Sequence, residues 1–114
     1  KKSKKTLSSF EAITFENEDL YFDKERVPLI KHKIGKQVAG FMIQKDPNEK
    51  VDWSEIYDGT IGYDSEVVMP KKDDGWRKIR DASEEINNKV IKELSLKQNE
   101  KFIEWDQNCF WRTI

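Results

Sequence analysis

The chain has 114 residues and a formal net charge of −1, with 38% charged, 36% hydrophobic and 11% aromatic side chains. That length fits one domain, and four Trp, three Tyr and six Phe supply a core despite the high charge. No apolar run approaches the roughly 20 residues needed to span a bilayer, a single cysteine excludes an internal disulfide framework, and a single histidine excludes a multi-histidine metal site.

Residues 1–5 carry four lysines, and residues 1–8 are expected to be a flexible basic tail ahead of a single domain over 9–114. A Lys/Ser-rich start without Met is the kind of leader that follows the lipidated cysteine of a bacterial lipoprotein. This suggests the cell envelope or periplasm, with the cytoplasm as the alternative. A basic arm of this kind also suits anionic lipid or nucleic acid. Removing its four lysines from 21 basic residues leaves 17 against 22 acids, so the body is near −5. A body without a basic excess argues against a specific nucleic-acid binder.

The first strand is expected at 9–15, with Ile13 and Phe15 on one face and Phe10 and Ala12 on the other. A short second strand is expected at 19–23. Over 27–44 the residues Pro28, Ile30, His32 and Ile34 alternate, and Val38, Gly40 and Met42 alternate after Gly35 and Lys36. This pattern predicts a hairpin with a Gly-X turn, closed by Asp46, Pro47 and Asn48.

Over 51–69 a second strand pair is expected around Asp58 and Gly59, a hairpin dipeptide, with Gly62 as a bulge. Residues 70–75 read as a polar linker. Trp76, Ile79, Ala82, Ile86, Val90 and Leu94 then recur at three- and four-residue steps, which predicts an amphipathic helix over about 75–95 capped by Asp73 or Asp74. Two strands at 101–105 and 109–114 are expected to form a hairpin through Asp106, Gln107 and Asn108, with Trp105 and Trp111 paired on one face.

The expected fold is therefore α+β: an antiparallel sheet of about five to seven strands with one long helix packed on one face. The other sheet face would meet solvent or a partner.

The segment 46–66 concentrates function. It carries seven acids against the single base Lys50. Asp52, Trp53, Glu55, Tyr57, Asp58, Tyr63 and Asp64 make an acidic aromatic surface suited to a basic protein partner. Acids steer such an encounter, and aromatic side chains anchor it. The expectation is a small non-enzymatic binding protein of inhibitor or immunity type, without metal or cofactor. The acids from Asp58 to Asp64 do not follow the spacing of a helix–loop–helix calcium loop.

The alternative is a small toxin-type hydrolase or nuclease. It would use His32, flanked by Lys31 and Lys33, or a set such as Asp64, Glu66 and Lys71. No nucleophile or second acid–base group accompanies His32. Cys109 reads as an inert buried thiol. A third reading is a membrane- or nucleic-acid-associated module held by residues 1–5.

Overall fold

The computed structural model describes residues 6–29, 31–60 and 72–114. After a 3-10 turn at Leu7–Ser9 come three strands: β1 (Ile13–Glu16), β2 (Asp19–Phe22) and β3 (Glu25–Pro28). They form an antiparallel meander in the order β1-β2-β3. Asn17 and Glu18 link β1 to β2 with φ of 53° and 69°. Two consecutive positive φ values are the mark of the tight turn whose twist matches a hairpin.

Leu20 pairs with Phe15 and Val27, and Phe22 pairs with Ile13, so one face of this sheet is apolar. Asp19 lies on the other face yet is buried. Its carboxylate accepts from Arg26 Nε at 2.8 Å and from the Leu29 N–H at 3.2 Å, which fixes the exit from β3.

The next elements are α1 (Lys33–Met42), β4 (Val51–Asp52), α2 (Trp53–Gly59), α3 (Lys72–Leu94), β5 (Ile103–Trp105) and β6 (Cys109–Arg112). The second sheet is antiparallel with order β4-β6-β5. The expected single sheet is thus two three-stranded sheets, and the expected single helix is three helices among the described residues.

Among the described residues, helix replaces part of each of two expected hairpins: α1 within 27–44 and α2 within 51–69. Residues 34, 38 and 42 satisfy both a period of two and a period of 3.6, so alternation there was ambiguous. Phe41 completes the helical stripe, and Val38, Ala39 and Met42 are buried along it. Gly35 is inside α1, not in a turn. Gly40 serves close approach: a Cβ there would lie 2.9 Å from the Phe15 ring.

Likewise Asp58 and Gly59 end α2 rather than turn a hairpin. Asp52 caps this helix by accepting the Ser54 N–H at 3.0 Å, and Trp53 and Ile56 share its buried face. The second half of the expected strand pair, with Gly62, lies outside the described residues. The C-terminal hairpin is present as expected, closed at Asp106–Asn108. There Asp106 Oδ1 accepts the N–H groups of Asn108 and Cys109 at 2.8 and 2.7 Å.

Helix α3 begins at Lys72, within the expected linker, so Asp74 lies inside its first turn. It packs against α1, α2, β3 and β5. Its stripe of Ile79, Ala82, Ile86, Val90, Ile91 and Leu94 is buried. Ser95 at φ 57° turns the chain, and the Leu96 N–H returns to the Ile91 carbonyl at 3.0 Å. This is the left-handed helix stop with its buried apolar residue just beyond.

Asn87 is the polar exception in the stripe. Its Nδ2 donates to the Ile103 carbonyl at 2.8 Å, and its Oδ1 accepts the Ile103 N–H at 2.9 Å. The side chain thereby occupies the place of a further strand along the edge of β5. Ser83, one turn earlier and fully buried, has a hydroxyl with no hydrogen-bond partner among the described residues.

Opposite effects are expected from these two neighbours. Asn87→Leu strands both buried main-chain groups of Ile103 and should cost about 2–3 kcal/mol, whereas Ser83→Ala removes an unpaired buried hydroxyl and should be neutral or stabilising by up to about 1 kcal/mol. Denaturant midpoints of the two variants against the parent chain measure both.

Candidate functional site

The acidic aromatic segment is arranged by α2. Asp52, Glu55 and Asp58 fall at three-residue steps and are exposed. Glu55 binds Lys45 Nζ at 3.2 Å, and Asp52 is engaged in the cap. Trp53 is only 8% exposed and lies in the core, with its ring edge-on to Tyr57 at 6.4 Å. Tyr57 is half-buried. Tyr63 and Asp64 lie outside the described residues, as do Glu66 and Lys71. The structure therefore brings Asp52, Glu55, Tyr57 and Asp58 to one short helix, while Trp53 contributes mainly to the interior.

The other tryptophans are half-buried, and each carries a cation. Arg80 lies 5.5 Å from the Trp76 ring centroid, Lys101 5.6 Å from Trp105 and Lys50 4.9 Å from Trp111. Trp105 and Trp111 are not a pair, because Trp105 faces Phe110 and Trp111 faces Glu104 in the register. Alternation along β6 then sends them to opposite sides of the sheet. Trp105 and Trp76 pack on the buried Phe110 with ring centroids 5.9 and 6.1 Å away.

His32 precedes α1 instead of lying on a strand. Its Nδ1 is 3.5 Å from Glu85 Oε1 on α3. Cys109 is half-buried rather than buried as expected, and sits across from Asp52 in the β4–β6 register. Among the described residues, no group of three or more His, Cys, Asp or Glu side chains is placed to hold a metal ion.

A different surface emerges at the start of α3. Trp76 Nε1 donates to the Asp106 carbonyl at 3.2 Å. This bond places the hairpin turn beside the first turns of the helix. Arg77 and Lys78 are exposed there and have no ion-pair partner among the described residues. Arg80 is braced by Trp76 and by Asp81, whose Oδ1 accepts from Arg80 Nη2 at 2.9 Å and from Nε at 3.2 Å. Gln107 and Asn108 are exposed on the adjoining turn. Asp73, Asp74 and Asp81 are the acids in the sequence of the same stretch of helix.

This surface offers cationic donors next to side-chain amides, both suited to phosphate oxygens. Whole-body charge hides it. A local count points to it: Arg77, Lys78 and Arg80 fall within four residues, after Asp73 and Asp74.

Comparison with known protein families, curated proteins and solved structures finds no match for this chain.

The hairpin turn has a definite acid response. The N–H groups of Cys109 and Asn108 hold the Asp106 carboxyl below its ordinary pKa. A depressed carboxyl contributes stability above its unfolded pKa of about 4 and loses it as pH falls through the lower folded value. Asp106→Ala should thus be less stable than the parent at neutral pH, and the gap should narrow below about pH 4. Denaturation midpoints measured against pH test this, with Asp106→Asn, which keeps an oxygen acceptor, as the control.

Proposed function

We propose that the chain is a DNA-binding module of helix-turn-helix type, presenting the N-terminal half of α3 to the major groove with the β5–β6 hairpin alongside. One arrangement carries this proposal: α3 packs against α1 and α2, and the turn of the β5–β6 hairpin is bonded to Trp76 at the start of α3, next in sequence to the exposed Arg77 and Lys78 and the half-buried Arg80. In helix-turn-helix proteins the second helix of the pair reads the groove while the preceding helix crosses the backbone. Here α2 and α3 would fill those roles. They are joined by residues 60–71, longer than the compact motif's turn of about three or four residues. What supports the proposal is arrangement and surface chemistry, with fold analogy as the link.

Arg77 and Lys78 are assigned to phosphate contact or to guanine edges, and Gln107 and Asn108 to the flanking backbone. Asp74, Asp81 and Asp106 temper the local charge, so affinity for arbitrary sequence should be modest. Fluorescence anisotropy with a random-sequence duplex should give a dissociation constant of about 10⁻⁴–10⁻⁶ M that weakens steeply with salt. Arg77→Ala with Lys78→Ala should weaken binding and reduce the log–log salt slope by roughly 2. Absence of salt-sensitive binding at low ionic strength by the folded chain would count against the proposal.

A second function is favoured by the exposed Asp58 beside Tyr57, an acid with no ion-pair partner among the described residues: inhibition or capture of a basic protein through the α2 surface. Asp52, Glu55, Tyr57 and Asp58 would face that partner, with Trp53 in the core beneath α2; Tyr63 and Asp64 of the same acidic stretch lie outside the described residues. A stoichiometric basic protein captured from native extract, and lost with Asp58→Lys and Tyr57→Ala together, would favour this function over DNA binding.

A further inference from the structure

Among the described residues, no strand pairs with β1 on the side away from β2. The two-residue turn at Asn17 and Glu18 makes Glu16 face Asp19 and Thr14 face Tyr21 as hydrogen-bonded pairs. The N–H and C=O groups of Ile13 and Phe15 therefore point away from β2. They meet no other hydrogen-bond partner among the described residues. Edge strands are commonly blunted by Lys, Pro or a bulge; Ile13–Glu16 has neither Lys nor Pro.

Beside this edge lies a groove of about 480 Å³, lined by Phe15, Gln37, Gly40, Phe41, Gln44 and Thr60. Its rim carries the Lys36–Glu18 ion pair at 2.9 Å. Phe15 belongs to both the edge strand and the groove. A strand added along β1 would thus place alternate side chains into the groove.

The surrounding charge selects the kind of strand. Glu11 and Glu16 flank the edge, are exposed, and have no ion-pair partner among the described residues. We propose that the β1 edge and its groove bind an extended peptide segment of a partner protein, with a large apolar residue flanked by Lys or Arg. Main-chain bonds would supply affinity and the groove would supply selectivity. The site is separate from the basic start of α3, so it stands or falls independently of DNA binding.

The probe is a blocked heptapeptide of alternating Thr and Leu with a Lys at each end, and a twin with Glu at each end. Saturating the full chain with the Lys peptide should slow amide exchange at Ile13 and Phe15 by about tenfold or more, as expected when open-edge amides become hydrogen-bonded. The Glu peptide should bind more weakly, and the difference should shrink with salt. Ile13→Pro deletes an outward N–H at an edge where proline is tolerated. Gln37→Trp fills the groove from α1 without altering the strand. Each variant should weaken the Lys peptide by about tenfold, equivalent to about 1.4 kcal/mol.

Unchanged affinity in both folded variants, or no protection at Ile13 and Phe15 under excess Lys peptide, overturns the proposal. Protection that appears in the free chain as its concentration rises would assign the edge to a second copy, and overturns it as well.

Discussion

The architecture hangs on the inner face of α3, and on Asn87 in particular. An apolar stripe alone fixes how deeply a helix sits but leaves it free to slide or rotate by small amounts. Asn87 removes that freedom by taking both main-chain groups of Ile103 at 2.8 and 2.9 Å. Because β5 is thereby set against the helix, β6 is set through its pairing with β5, and β4 through its pairing with β6. The Trp53 N–H bound to the Asn108 carbonyl at 2.8 Å carries the constraint on to the start of α2. One buried carboxamide thus orders the second sheet and two helices, the situation in which a satisfied polar group specifies a unique packing.

The same logic relates the meander to the rest. Phe22 packs edge-on to Phe10 and Phe102 at 5.6 and 5.3 Å, so the apolar face of the first sheet closes on the chain entering β5. Arg112 secures the opposite side. Its Nε donates to the Lys45 carbonyl at 2.6 Å, and Asn48 returns a main-chain bond to Arg112 at 2.7 Å. Burial draws the Arg112 pKa down, while Asp46 opposes that shift; the guanidinium stays charged at any physiological pH. These ties leave three surfaces of distinct character. The start of α3 is basic, the outward side of α2 is acidic, and the β1 edge is apolar with acidic flanks.

Much of the interior was legible from sequence. The α3 stripe, the second strand and the C-terminal hairpin followed from periodicity and turn residues, and their boundaries shifted by only a few positions. The segment 33–42 was not legible, because residues 34, 38 and 42 fit a strand and a helix equally. Asp58 and Gly59 were equally ambiguous, since the dipeptide that opens a hairpin can also end a helix. The candidate DNA surface was missed for another reason: net charge averages over faces that the fold separates. Exposure of the tryptophans also escaped sequence, because a Trp beside acids can be a surface anchor or, like Trp53, a core residue.

By itself the sequence determined the class of the fold, the existence of the long helix, the closing hairpin and most of the buried apolar set. These depend on local spacing, which every chain segment carries within itself. The tertiary structure decided which ambiguous segments became helices, how the six strands among the described residues divided into two sheets, and which charges share a surface. Those outcomes depend on partners distant in sequence: Gly40 against Phe15, Asn87 against Ile103, Trp76 against Asp106. A local pattern can propose such contacts only after the fold has brought the partners within reach.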